Sequence, residues 1–151
     1  ETDLKEIVVE AAKALRGEAE KKKMKCHCSF PEYEVPKISL VRKHVFEAVE
    51  NLFSNAVRYG KEGGKVECAV IVTDTEIVLS VSDDGIGIPK EDQTKIFAKF
   101  FRAGNAVRSF TDGSGLGLSV VKAYVEESGG TISFESEENV GTTFTVKFPR
   151  P

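Results

Sequence analysis

Residues 65–83 read KVECAVIV, TDT and EIVLSVSD, two strand-forming runs separated by three residues. That arrangement suits an antiparallel hairpin. In the second run Ile77, Leu79 and Val81 fall on one face, with Asp83 continuing the same alternation. A sheet face this apolar has to be covered by a second layer, and that requirement decides how the rest of the chain is read.

The covering layer is legible on both sides of the hairpin. Leu4, Ile7, Val8, Ala11, Leu15 and Ala19 recur at three- and four-residue spacing, so one amphipathic helix is expected to run from the N-terminus to the KKK run at residues 21–23, whose lysines read as a solvated helix end. MKCHCSF follows as a strand, with Met24, Cys26, Cys28 and Phe30 on its apolar face and buried thiols expected there. A Cys-His-Cys run can also bind metal, but only Cys68 and His44 remain as further thiol or imidazole ligands. PEYEVPK is a connector, and residues 39–58 form a long helix with Val41, Val45, Ala48, Val49, Leu52, Phe53 and Ala56 as its apolar set. Gly60, Gly63 and Gly64 break it.

After the hairpin come the turn DDGIGIPK, a short helical piece near EDQTKIFAKF, and the polar stretch RAGNAVRSFTDGSG, which reads as mobile. A helix over residues 116–128 ends at Gly129 and Gly130, and the strands TISFES and TTFTVKF flank the turn EENVG. There is no internal repeat or interdomain linker. The order predicts an α/β (α+β) two-layer sandwich, a mixed and mostly antiparallel sheet with helices on one face, as a single domain over residues 1–151.

Composition narrows the function classes. A net charge of -3 gives no general electrostatic reason to attract nucleic acid or anionic lipid, so an anionic ligand has to be held locally. No apolar run approaches the roughly 20 residues of a membrane-spanning helix, and the N-terminus is acidic where a secretory signal is basic. A cytoplasmic domain with no direct membrane contact is the expectation.

The stretch NLFSNAVRYG, residues 51–60, sets the chemical question. At about 100° per residue, and with Asn51 at zero, Asn55 lies near about 40°, Arg58 near about -20° and Tyr59 near about 80°. The stripe therefore runs along the edge of the apolar face. Amide oxygens can ligate Mg²⁺ beside phosphate oxygens, Arg58 adds charge-assisted bonds to phosphate, and Tyr59 offers an aromatic edge to a base. On this stripe alone, a helix with polar residues at its margin explains the pattern equally well.

Two glycine-rich stretches bear on the choice. DDGIGIP, residues 83–89, places Asp83 at a strand end with its carboxylate expected inward, where it needs a donor such as an adenine amine. Gly85 and Gly87 would let backbone approach a flat base; an ordinary turn with exposed Asp and Gly is the plain alternative. GSGLGLS, residues 113–119, opens a helix, and its amides plus the helix start favour phosphate, although a flexible hinge would read the same way. It is neither the dinucleotide fingerprint nor a P-loop.

In this order the stretches resemble the catalytic ATP-binding domain of sensor histidine kinases, within the wider group that includes the ATPase domains of Hsp90, type II DNA topoisomerases and MutL. NLFSNAVRYG resembles the N box, DDGIGIP the first glycine box, IFAKFFR (residues 96–102) the F box, and GSGLGLS the second glycine box. The resemblance implies the Bergerat ATP-binding fold, a mixed sheet under three main helices, with ATP and Mg²⁺ as cofactors. It implies that Asn55 coordinates Mg²⁺, that Asn51 supports phosphates and metal, and that Arg58, where the group usually has lysine, contacts phosphate. Tyr59 would pack beside the nucleoside, Asp83 would accept the adenine amine, and Gly85, Gly87 and Ile88 would shape the base pocket. Gly113, Ser114, Gly115, Leu116, Gly117 and Leu118 would wrap the phosphates. Residues 102–114 would be a mobile lid anchored by Phe97, Phe100 and Phe101, with Arg102 or Arg108 reaching the γ-phosphate.

Hydrolases of the group carry glutamate where this chain has Asn51, and an amide cannot take a proton from water near neutral pH. Glu47, one turn earlier, reads as a solvated charge. The resemblance to the histidine kinases implies that the acceptor of the γ-phosphoryl is an imidazole, with Asn51, Asn55, Arg58 and Arg102 as the catalytic set. His27 lies in a strand and His44 in RKHVFEAV, which lacks the H-E-L-R-T-P pattern of an acceptor helix. The implied partners are a helical dimerisation and histidine-phosphotransfer domain of the same parent, membrane-anchored or not, and a response regulator. Rival readings are a serine-phosphorylating kinase of the anti-sigma-factor type and a nucleotide-regulated binding module without transfer.

Overall fold

The structure is a computed structural model and describes residues 1–98, 104 and 117–151. Helix α1 (Leu4–Ala14) is followed by the short α2 (Arg16–Lys21), strand β1 (Lys25–Ser29), the long helix α3 (Arg42–Tyr59), and the hairpin β2 (Lys65–Val72) and β3 (Glu76–Asp83). A single 3₁₀ turn (Lys90–Asp92) comes next, then helix α4 (Gly117–Glu127) and the second hairpin, β4 (Thr131–Glu137) and β5 (Gly141–Pro149). The five strands form one sheet in the order β1-β2-β3-β5-β4. β1 runs parallel to β2 and the other pairs are antiparallel, so the mixed, mostly antiparallel sheet expected from the sequence is present.

The helices pack as one layer. α3 lies between α1 and α4 and meets β2 and β3. Val45, Ala48, Val49, Leu52, Phe53, Ala56 and Val57 of α3 are all buried, as are Ile77, Leu79 and Val81 of β3 and Phe144, Val146 and Phe148 of β5. The two periodicities, 3.6 for the helix and 2 for the strands, thus deliver their apolar faces to one core. Each Val, Leu, Ile or Phe side chain among them contributes about 1.5–3 kcal/mol when withdrawn from water.

Three local expectations are corrected. The first helix is two, because Leu15 leaves helical geometry at φ -96 and ψ 1 and α2 restarts beyond it. α3 begins at Arg42 instead of residue 39; Val41 is its N-cap, extended and 46% exposed, and not a core residue. The glycines do break α3 as expected: it ends at Tyr59, with Gly60 as an extended C-cap at φ -69 and ψ 158, while a positive φ of 74 falls on Gly63. Last, the thiols of β1 are not all buried. Cys26 is exposed and Cys28 half-buried, whereas Cys68 on β2 is in the core. β1 is an edge strand, and α1 and α2 leave a groove above it lined in part by Ala12, Lys13, Arg16, Cys26 and Cys28. Cys28 and Cys68 are register partners whose sulfurs share a hydrogen bond that lowers the pKa of Cys28. Among the described residues no group of His, Cys, Asp and Glu is placed to hold a metal ion.

Candidate functional site

Asn51, Asn55, Arg58 and Tyr59 are half-buried along α3, beside the fully buried Leu52, Phe53, Ala56 and Val57. Glu47 is exposed. The polar stripe therefore occupies the margin of the core face, as the helical wheel predicts. Asn51 points toward the start of α4: its Oδ1 lies 3.9 Å from where a side chain on Gly117 would begin. Gly117 and Leu118 are half-buried in the first described turn of α4.

At the other end of the stripe, the carboxyl end of α3 meets the turn after β3. The Ile86 N–H donates to the Tyr59 carbonyl at 3.1 Å, and a Cβ on Gly85 would lie 2.0 Å from that same oxygen. Gly85 is required for the approach of two backbones, helix to turn, and not only for room beside a base. Asp83 is half-buried, with its Oδ1 accepting from the Gly85 N–H at 2.9 Å. Burial pushes its pKa up to about 6, against the pull of the Gly85 and Thr142 backbone donors and the more distant Lys22 ammonium, with Asp84 adding to the rise. A carboxylate in such a place is costly when ionised, which is the usual mark of a group awaiting a donor.

The turn is gripped from its second side by the β4–β5 hairpin. Ser136 Oγ accepts from the Ile88 N–H at 2.9 Å, and Gln93 Nε2 donates to the carbonyls of Ile88 and Ser136, each at 3.1 Å. The Asn139 N–H donates to the Ile86 carbonyl at 2.7 Å from a backbone with φ 65. Gly87 would bring a Cβ to 2.1 Å from the Glu137 carbonyl, and Gly141, at φ 149, to 2.1 Å from that of Asp83. Ile88 is buried beside this clamp. Ser136, Asn139 and Gly141 escaped sequence reasoning, because the end of TISFES and the turn EENVG read as an ordinary hairpin until its neighbour across space is known.

Phe97 packs edge-on against Phe134 at 5.9 Å and Phe144 at 6.4 Å, and Lys122 of α4 places its Nζ 5.5 Å from the Phe97 ring centre. The Gly104 N–H donates to Asp92 Oδ2 at 2.9 Å. Phe100, Phe101, Arg102, Arg108, Gly113, Ser114, Gly115 and Leu116, with nearly all of the expected lid, lie outside the described residues.

The expectation that the three lysines form a solvated helix end holds for Lys21 and Lys23, which are exposed, and fails for Lys22. Lys22 Nζ donates to the carbonyls of Val57 at 2.8 Å, Arg58 at 3.0 Å and Gly60 at 2.6 Å. Charge runs carry no signal that separates a buried member from its neighbours.

Residues 41–151 match the family model described as histidine kinase-, DNA gyrase B-, and HSP90-like ATPase. The chain belongs to this family. Its ATPase fold extends over the same elements that hold Asn51, Asp83 and Gly117. Among relatives, the sensor histidine kinase WalK of Bacillus subtilis is 38% identical over 114 residues, 74% of this chain and 19% of that protein. The sensor protein CiaH of Streptococcus pneumoniae is 43% identical over 96 residues, 64% of this chain and 22% of that protein. The chain thus spans about a fifth of the length of these larger sensor proteins. Among solved structures, the mycobacterial sensor histidine kinase MprB superposes with a TM-score of 0.86 at 26% identity, covering 99% of this chain and 98% of that one. The catalytic domain of histidine kinase ThkA gives a TM-score of 0.83 at 28% identity, over 99% and 93%. Among the described residues no helix is long and apolar enough to cross a membrane.

Proposed function

We propose that this chain is the ATP-binding catalytic domain of a two-component sensor histidine kinase, folding as one domain over residues 1–151. It binds Mg-ATP between α3 and the Asp83 turn and passes the γ-phosphoryl to a histidine on a separate helical domain of the same parent, whose product serves a response regulator. The observation that carries this reading is the single line of groups along α3: Asn51 faces the start of α4 at one end, and Tyr59 joins the Asp83 turn at the other. A phosphate-binding end and a base-binding end are thereby set on one helix, about two turns of chain apart.

Each group has a task that its chemistry suits. The Asp83 carboxylate accepts a hydrogen bond from the exocyclic amine of adenine; glycine at positions 85 and 87 keeps the turn tight beside the base. Tyr59 packs beside the nucleoside and Arg58 donates to phosphate. The donor set on α3 fits magnesium, since carboxamide oxygens are hard and neutral and leave the triphosphate oxygens to supply the charge; Asn55 would hold the ion with support from Asn51. Bound there, Mg²⁺ neutralises charge on the phosphates. Gly113, Ser114, Gly115, Leu116, Gly117 and Leu118 wrap the phosphates, with Phe97 and Phe101 at the base of a lid over residues 102–114 and Arg102 directed at the γ-phosphoryl group. Asn51 cannot serve as a base toward water, so the bound nucleotide persists until an imidazole arrives.

The test is to mix the chain with candidate helical hairpin domains and labelled ATP. Label that is acid-labile and base-stable marks phosphohistidine; acid-stable label on serine would replace the proposal with its serine-kinase rival.

A further inference from the structure

Helix α3 ends without a left-handed cap, yet the four carbonyls from Val57 to Gly60 are all taken. Those of Val57, Arg58 and Gly60 accept from Lys22 Nζ, and that of Tyr59 accepts from the Ile86 N–H. Three N–H bonds to three carbonyls use every donor of an ammonium group, and a cation at a helix carboxyl end also meets the negative pole of the dipole. Lys22 is brought there by its own backbone: its carbonyl accepts from the Gly63 N–H at 2.9 Å, and the Met24 N–H returns to the Ala19 carbonyl at 2.9 Å. Lys23, at φ 55, makes the corner that turns α2 into β1.

The same ammonium acts on the turn across from it. Burial lowers the pKa of Lys22, while Glu62 and Asp83 support its charge. Seen from Asp83, the facing groups among the described residues are Lys22, which favours the carboxylate, Asp84, which opposes it, and the N–H groups of Gly85 and Thr142, which donate to it.

We propose that Lys22 is a positioning residue for the adenine end of the nucleotide cleft, seating the carboxyl end of α3 against the Asp83 turn and setting its charge opposite that carboxylate. This rests on the nucleotide cleft proposed above. Lys22 does not touch the base. It fixes the carbonyls on either side of Tyr59, leaving the Tyr59 oxygen for Ile86, and so sets how far the helix stands from the turn. It also favours the ionised form of Asp83, which accepts at both oxygens and donates at neither.

The experiment measures adenosine and ATP binding by calorimetry, from about pH 5 to about pH 8, for the full chain and its Lys22→Met, Lys22→Gln and Lys22→Arg variants, with circular dichroism to establish folding. Lys22→Met should weaken adenosine binding about tenfold at neutral pH, and Lys22→Arg should recover most of it. Lys22→Gln keeps two donors and loses the charge; its affinity should fall away at a higher pH than that of the unaltered chain, because Asp83 then protonates sooner. A purely structural lysine would not move that profile. Folded Lys22→Met or Lys22→Gln protein with unaltered affinity and an unaltered profile overturns the proposal, and if the Met variant does not fold, the Gln variant decides. Should the unaltered chain bind no adenine compound, the cleft reading itself falls and takes this proposal with it.

Discussion

The two ends of α3 are closed in different ways. At its amino end the helix starts from Val41, whose side chain offers no cap, and its neighbours meet their partners in water: Arg42 reaches Glu10 at 2.8 Å with both side chains about half exposed. At its carboxyl end the carbonyls from Val57 to Gly60 are each taken by a donor from another element. The first end is held by generic amphipathic packing, which tolerates change; the second is held by close backbone approach and buried polar bonds, which do not. Precision is concentrated where the Asp83 turn docks, and that is the end where the proposed function needs it.

The strongest challenge to this contrast is Gly85→Ala. A Cβ there would meet the Tyr59 carbonyl carbon and oxygen, both backbone atoms that cannot swing aside. The expected cost is about 3 kcal/mol of stability, with ATP binding lost beyond calorimetric detection. Retention of micromolar binding by a folded Gly85→Ala chain would show that the turn can back away from α3, and the contrast would fail at its firmest point.

Asp83→Asn comes next. The amide presents a donor toward the adenine amine, so ATP affinity should drop at least about tenfold. The sign of the pH effect follows from the raised pKa. With the folded-state value near about 6 and the ordinary value 3.8, Asp83 favours the folded state below that interval and withdraws the benefit as pH rises through it. Thermal melts of the nucleotide-free chain should therefore show a stability component that declines from about pH 4 to about pH 6 and is absent in Asp83→Asn. Parallel melting curves for the two proteins across that range would place the carboxylate in open solvent.

Much of this was legible in the sequence, and the limits have physical causes. Both hairpins, the long helix and the edge position of the asparagine stripe follow from periodicity, because burial of one face dominates the energetics of amphipathic elements. Asp83 could be assigned inward because it continues the alternation of Ile77, Leu79 and Val81. Lys22 could not be told from Lys21 and Lys23, since what distinguishes it is a helix end more than thirty residues away. Ser136, Asn139 and Gly141 were invisible for the same reason: they serve a turn on another hairpin. Cys26 was misplaced because alternation shows which side a residue faces but not whether a helix covers that side at an edge strand.

A smaller effect is expected at the amino end. Val41 has the extended geometry of an N-cap, φ -84 and ψ 101, and lacks the side-chain oxygen that Asp3 supplies to α1 at 2.9 Å. Val41→Asp should add about 1 kcal/mol by capping α3 and favouring the helix dipole. ATP affinity should not change. A stabilised chain with altered nucleotide affinity would mean that the two ends communicate along the helix.

The smallest effect is expected at His44, and it tests that separation most directly, because His44 joins the amino end of α3 to α4. Its ring stacks on Tyr124 with centres 4.2 Å apart and planes within 4°, while Nδ1 lies 3.1 Å from Glu127. Both side chains are about a third to a half exposed, so water screens the contact between them, and stacking supplies most of the contact energy; His44→Ala should cost about 0.5–1 kcal/mol in denaturant melts. α4 also begins at Gly117, which faces Asn51, so a shift of α4 would be felt by bound phosphate before it was felt by bound adenine. If the stack only fastens the far end of α4, ATP and adenosine affinities both stay within about twofold of the unaltered chain. If ATP weakens while adenosine does not, His44 sets the α3–α4 spacing at the phosphate end, and the amino half of α3 belongs to the site as much as the carboxyl half does.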